Sequence, residues 1–406
     1  MIGRRTRLWP DLLLIFLIGL ICRCSILLRT PEEGDEVIYQ TLVEQLEAGH
    51  GFTLQGNPIL QQPWIARSQY DHPLFIRPPG GIALFWLFHW LFGARGLALA
   101  QLFSFSLFFW AMILLASQVL VPFDWAGAVF VAVLSSFTPI MTQVTSRFWL
   151  DGPVLAFSTA AAALFLLGLN RKRIALVVLA GLVLGYASLI KMTAVLVLPG
   201  LIALGWASAR SASVKAIVWQ SVLLVSLVAF IEQWWQVWQW AVLGDPFPSG
   251  AGKPALELVM TNRYVHYVTV IRSPWVYLRL LPTVLWTLLP AVGLFVAQWS
   301  DTSLRRKGLA LLCWVATITG VHIGLGAIGY SKVLRYIVLV TPATVLFFAL
   351  VSAKAWQTIN ANKTPYEGVS VMGVLFTAAI AGLVLEIVQG LQTPFFNRGD
   401  LIIPIW

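Results

Sequence analysis

The sequence predicts an all-α fold, a bundle of helices that crosses a membrane many times, and three observations carry that expectation. Of 406 residues, 59% are hydrophobic and only 11% are charged. The mean hydropathy is +0.81, which is outside the range of water-soluble cores. The apolar runs also recur along the whole chain at roughly 20 residues, the length that crosses about 30 Å of hydrocarbon. Residues 1–406 therefore read as a single polytopic membrane domain with loops.

The elements follow in order. Arg4, Arg5 and Arg7 precede Leu8 to Leu28, a stretch that is long for a signal-peptide core and has no clear small-residue cleavage site, so it reads as a retained first span. Further spans are expected at Leu97 to Val121, Trp125 to Gln143, Gly152 to Leu169, Ile174 to Ile190, Thr193 to Ala207 and Ala216 to Trp235. Val276 to Trp299, Gly308 to Ala327, Val333 to Ala353 and Val369 to Gln389 complete the set, about eleven in all. Ile82 to Phe92 is apolar and Trp-rich but only long enough for half a bilayer. Cys22, Cys24 and Cys313 all lie in apolar segments, which suits buried thiols and neither a disulfide framework nor a metal site.

Charge sets the expected orientation. If Ile82 to Phe92 lies along the surface, the short basic connectors Arg171 to Arg173, Arg210 to Lys215 and Arg305 to Lys307 share a side with the basic N-terminus. If it spans, all three move to the opposite side, against the positive-inside rule. It is therefore read as juxtamembrane, with the N-terminus cytoplasmic in a cell membrane. Residues 29–96, residues 236–275 and the tail from Gly390 then lie outside. Trp234, Trp235, Trp238 and Trp240 read as an interfacial aromatic belt. The net charge of +10 resides in basic membrane edges, and no basic stripe with interleaved aromatics points to nucleic acid.

Charged residues at the outer ends of the spans are the candidates for chemistry. Gly34-Asp35-Glu36 follows the first span, and Val37, Leu42, Val43 and Leu46 recur at helical spacing behind it. Asp35 and Glu36 thus fall at a helix N-terminus, where backbone amides favour carboxylates. Between Tyr70 and Gly81, prolines and glycines forbid a regular helix and present His72 and Arg77. Ser146-Arg147 and Asp151 form a short turn between spans, Lys191 closes another, and Tyr330, Lys332, Arg335 and Tyr336 open a later span. Helix caps, simple ion pairs and snorkelling cations account for each taken singly. Taken together, Arg77, Arg147, Lys191, Lys332 and Arg335 map to one membrane face and offer a polyanion several partners. The five histidines form no ligand spacing, so the cofactor is left unassigned, with a divalent metal still an open alternative.

This ordered set resembles the GT-C glycosyltransferases, in particular the bacterial branch related to aminoarabinose transferases of lipid A and to protein O-mannosyltransferases of the glycosyltransferase family 39 type. The resemblance runs from the first span to about Phe348. It rests on Gly34-Asp35-Glu36, on His72-Pro73 with Pro78-Pro79, on Ser146-Arg147 with Asp151, on Leu189-Ile190-Lys191, and on Arg335-Tyr336 with Pro342. It implies a polyprenyl-phosphate sugar donor, Asp35 as the catalytic carboxylate and Arg335 among the phosphate contacts. The His-Pro segment is longer here than the compact run usual in the family, so His72 carries over only weakly.

The residue types suit that chemistry. A lipid phosphate is already a good leaving group, so the enzyme needs cations for it more than a second acid. One carboxylate serves as base toward an acceptor hydroxyl on a lipid, glycan or protein, and displacement inverts the anomeric centre, unlike the paired carboxylates of many glycosidases. The expected catalytic residues are Asp35, Glu36 and Asp151, and the expected phosphate contacts are Arg335, Lys332, Lys191, Arg147 and Arg77. His72, Tyr330 and Tyr336 are further candidates. Rival readings are a transporter or lipid flippase, and a lipid-linked oligosaccharide ligase or polymerase. Transporters usually repeat their halves and place charges near mid-membrane. Here only Arg23, Glu232 and Glu386 lie in or near apolar runs, and no repeat is visible.

Overall fold

A computed structural model describes residues 2–31, 34–209, 213–248, 253–361 and 371–396. Glu32 and Glu33 of the acidic cluster, Arg210 of its basic connector and the tail beyond residue 396 lie outside them. The described residues are helical with no strand. The long elements are α1 (Ile2–Arg23), α2 (Asp35–Glu47), α3 (Gly80–Phe92), α4 (Gly96–Val119), α5 (Trp125–Phe137), α6 (Pro139–Thr145), α7 (Asp151–Arg171) and α8 (Ile174–Ile190). After them come α9 (Leu198–Ser208), α10 (Val214–Leu243), α11 (Val276–Val284), α12 (Leu288–Ala297), α13 (Thr302–Ala327), α14 (Thr341–Ala361) and α15 (Val371–Phe396).

Among the described residues, seven helices are long and apolar enough to cross a membrane, or eight if the bent pair α5 and α6 counts as one. Ile174–Ile190, Met192–Ser208 and Leu288–Ala297 are apolar but shorter, and they occupy the remaining expected positions. Packing runs from α4 to α7, from α7 to α8 and from α8 to α10, with α9 against α13. Leu17, Leu182, Val222, Phe230 and Val374 point outward, exposed, as lipid-facing side chains do.

Ile82 to Phe92 belongs to α3, a separate helix. Gly93, at φ +59°, turns the chain, a conformation open to glycine without a Cβ penalty. The rings of Phe88 and Phe103 meet at 5.5 Å, although a straight helix would hold them roughly 22 Å apart. α3 therefore folds back on α4, and its thirteen residues extend about 20 Å, short of the hydrocarbon thickness.

Three expectations differ from the structure. The segment Val276 to Trp299 is broken between α11 and α12. Helix α10 continues to Leu243, past the expected boundary at Trp235, so the next loop begins later than 236. Trp235 is no belt residue. It is 1% exposed and packs edge-on against Phe52, with ring centroids 6.2 Å apart, whereas Trp234, Trp238 and Trp240 are exposed.

The breaks are held by buried polar side chains from distant helices. At Thr138, where Pro139 starts a new helix, the axis bends by 52°. Arg23, fully buried on α1, donates to Ser136 O at 2.9 Å and to Thr145 Oγ1 at 2.6 Å. Glu386 of α15 accepts from Thr287 N at 2.9 Å and Thr287 Oγ1 at 2.7 Å, beside the second break, and from Thr138 Oγ1 at 3.4 Å beside the first. Gly382 and Gly390, on either side of Glu386, lie against the backbone of Trp286 and Phe137. Such bonds are what make irregular backbone tolerable at membrane depth.

Candidate active site

The helix breaks and loops deliver charged side chains to one place. A tight turn at Cys24–Leu28 ends the first span. Gly34, at φ +62°, then starts α2 with Asp35 and Glu36 in its first turn. Successive helical residues point about 100° apart, so the two carboxylates separate. Asp35 faces a partly open space, and Glu36 turns into the protein.

Asp35 is held between two guanidinium groups. Arg77 Nη1 lies 3.1 Å from Oδ1, and Arg335 Nη2 lies 2.7 Å from Oδ2. Arg77 comes from the proline-rich loop, which is pinned by Phe75 N donating to Phe52 O at 2.8 Å and by Gln239 Nε2 donating to Ile76 O at 2.9 Å. Its guanidinium also donates to the hydroxyls of Tyr39 at 2.8 Å and Tyr70 at 3.1 Å. Arg335 opens the tight helix Leu334–Val340 and lies over Trp149, 4.2 Å from the ring centroid. On its other side, Arg335 Nη1 is 3.9 Å from Asp151 Oδ2. Asp151 begins α7 and binds Lys191 Nζ at 2.6 Å. Lys191, at the end of α8, also lies over Tyr336 at 4.6 Å.

Glu36 anchors the neighbouring segment. It faces Arg29 at 3.7 Å and Arg147 at 3.6 Å and accepts from Phe148 N at 3.3 Å, while Arg29 Nη1 donates to Ser146 O at 2.6 Å.

Electrostatics follow from this arrangement. Burial pushes the Asp35 carboxyl upward, but Arg77, Arg335 and Lys191 outweigh it and hold the group below the usual carboxylate range. Burial lowers Arg77, and Asp35 with Tyr70 and Tyr39 overcomes this, so its charge is secured. Tyr39 and Tyr70 are pushed up by burial and keep their protons.

The structure brings together Asp35, Glu36, Arg77, Arg147, Asp151, Lys191, Arg335 and Tyr336. It does not bring the other expected residues there. Lys332 is buried and its ammonium donates to Thr269 O. Val333 between it and Arg335 is extended, so the two cations part. His72 Nε2 lies 3.1 Å from Ser68 O on an exposed loop, and Tyr330 donates through its backbone N–H to Leu325 O at 3.0 Å, at the end of α13. Sequence reasoning missed Tyr39, Tyr70, Trp149 and Arg29. Tyr39 had a signal, since it stands four residues after Asp35 on the same helix face.

No group of three His, Cys, Asp or Glu side chains that could hold a metal occurs among the described residues. Asp35 and Asp151 each already face two cations, a donor set that does not fit a divalent ion.

Residues 72–235 match the sequence model of the dolichyl-phosphate-mannose-protein mannosyltransferases, a stretch that includes Arg77, Arg147, Asp151 and Lys191. No curated protein sequence matches the chain. Among solved structures, it is similar to ArnT from Cupriavidus metallidurans in the apo state, at 17% identity and a TM-score of 0.61, covering 94% of this chain and 76% of that one. ArnT bound to undecaprenyl phosphate aligns over 97% of this chain and 77% of its own, at 17% identity with a TM-score of 0.54. The archaeal oligosaccharyltransferase AglB from Archaeoglobus fulgidus, in complex with an inhibitory peptide and a dolichol-phosphate, matches at 14% identity with a TM-score of 0.61. There the match covers 97% of this chain but only 56% of AglB, so this chain spans little more than half of that protein's length. The matching family and these structural neighbours are glycosyltransferases, and the GT-C resemblance read from the motifs is borne out in fold along nearly the whole chain and in sequence over residues 72–235.

Proposed function

We propose that this chain moves a sugar from a polyprenyl-phosphate donor to an acceptor hydroxyl at the Asp35 cluster, on the extracytoplasmic face and with inversion. The observation that carries this reading is the setting of Asp35 itself. Its carboxylate stands between the guanidinium groups of Arg77 and Arg335, beside the Lys191–Asp151 pair. Those cations offer the charge-assisted donors that a lipid phosphate requires. Of the three carboxylates Asp35 is the accessible one, at 18% exposure against 2% for Glu36 and 5% for Asp151. Asp35 is therefore assigned to the acceptor, Asp151 to positioning Lys191 and Arg335, and Glu36 to holding the wall through Arg29 and Arg147.

In the step proposed, the acceptor hydroxyl gives its proton to Asp35 and its oxygen attacks the anomeric carbon. The bond from that carbon to the phosphate oxygen breaks, and the electron pair leaves with the polyprenyl phosphate. Arg335 and Lys191 stabilise the departing charge. As Arg335 turns to the phosphate, Asp35 loses one of its two guanidinium partners and becomes more basic when a base is needed. Asp35→Asn keeps shape and should abolish transfer from a polyprenyl-phosphate sugar while binding of bare polyprenyl phosphate persists. Near-normal turnover in that variant rules the assignment out.

A further inference from the structure

Helix α10 carries a carboxylate that the proposed chemistry does not use. Glu232 is 8% exposed, and neither carboxylate oxygen has a hydrogen-bond partner. Ser188 of α8 lies beside it, but its hydroxyl donates to Gly185 O at 2.7 Å. One turn further along, the Trp235 indole Nε1 is also buried without a partner. Side chains three residues apart share a helix face. An unmet carboxylate within an apolar span is costly, and such groups are kept for a purpose. One strip of α10 thus holds strong acceptors and a donor in reserve.

The packing of α8 on α10 places this strip relative to the cluster. Gly181 lies on Leu227 and Gly185 on Ile231, so the helices run parallel at constant offset, which sets Lys191 level with Val237. Glu232 then lies roughly 7 Å along the axis beneath Lys191, at about 1.5 Å per residue. Beyond Trp235, Gln239 on the same face reaches Ile76 O at 2.9 Å, the residue before Arg77. The strip thus leads, through Gln239 and Ile76, to the Arg77 side of the cluster.

Resting on the reading of the cluster as the phosphate site, we infer that Glu232 and Trp235 hold the sugar of the donor and set its specificity. The carboxylate accepts from ring hydroxyls away from the anomeric carbon, and the indole N–H donates to an oxygen of the same ring. A site built to pair with hydroxyls discriminates strongly, because its own polar groups stay unpaired when the sugar is missing.

The test uses the full chain in lipid nanodiscs and two probes, polyprenyl phosphate and polyprenyl-phosphate-mannose. The unaltered protein should bind the mannose-bearing lipid more tightly. Glu232→Gln and Trp235→Phe should each weaken that binding by roughly tenfold and leave bare polyprenyl phosphate within about twofold. Preference for the sugar lipid that survives in both variants overturns the inference, as does equal loss of both lipids in both variants. Binding of the bare lipid with no sugar preference in the unaltered protein overturns the sugar subsite alone. Failure of the unaltered protein to bind either lipid overturns the phosphate reading together with it.

Discussion

Replacing Arg335 by lysine separates a phosphate clamp from a mere positive charge. Its guanidinium reaches Asp35 at 2.7 Å and Asp151 at 3.9 Å while lying 4.2 Å from the Trp149 ring centroid. An ammonium keeps the charge but offers neither the planar fork nor two parallel bonds to a phosphate. A lost charge-assisted hydrogen bond is worth about 1.5 to 3 kcal/mol, so transfer by Arg335→Lys should fall by roughly tenfold to a hundredfold. The variant should also respond differently to pH. Asp35 is held below its ordinary 3.8, so its ion pairing stabilises the fold above the ordinary carboxylate range, and that contribution is lost as pH falls through the depressed value. Weakening one partner raises Asp35 toward its ordinary value, and the acid limb of the activity profile should move to higher pH. The assay is initial-rate transfer from a polyprenyl-phosphate sugar in nanodiscs, followed down the acid limb. Full activity with an unmoved limb would refute the clamp and leave Arg335 as an anchor of its span.

Lys191→Met removes the nearer partner of the buried Asp151 carboxylate, at 2.6 Å, and leaves it only Arg335 at 3.9 Å, so thermal unfolding should show a loss of about 1.5 to 3 kcal/mol. Much of that stability should return in the double variant with Asp151→Asn, and equal instability of single and double variants would deny the pairing. Gly390→Ala drives a Cβ into Phe137 O, whereas Gly373→Ala meets nothing within 4 Å; only the first alanine should reduce the yield of folded protein on size-exclusion chromatography. With the native cysteines replaced, a cysteine at Ser68 should react with an impermeant thiol reagent from outside intact cells and one at Arg171 should not. The opposite pattern would reverse the proposed orientation.

The spans were legible because hydrocarbon imposes a length and a composition on every crossing. The cluster was legible for a related reason. Asp35, Arg77, Asp151, Lys191 and Arg335 are charges at the ends of apolar runs, where an ion needs water or a partner. What the sequence withheld was the pairing. Arg335 meets Asp35 across 300 positions, and nothing local announces it. Lys332 was misplaced because extended backbone at Val333 sends it elsewhere. The breaks were illegible too, since Thr287 depends on Glu386, 99 residues away, and no local pattern at 285–287 shows that partner.

Those hidden contacts determine how the cluster is assembled. Arg23 holds α6 through Thr145, and the chain runs directly from there to Ser146, Arg147 and Asp151. Arg29, six residues after Arg23, grips Ser146 O and Glu36, so one strand of chain fixes both Asp35 and the wall opposite it. The cations proposed to bind a phosphate are therefore engaged by carboxylates, Arg77 and Arg335 by Asp35 and Lys191 by Asp151. Such engagement lowers affinity for any anion that offers only charge, because each new contact replaces an existing one. On the proposed reading, a ligand gains net binding only when its geometry matches the Arg335 fork and a second attachment offsets the exchange. A phosphate held at the end of an apolar chain meets both conditions, whereas a free anion lacks the anchoring.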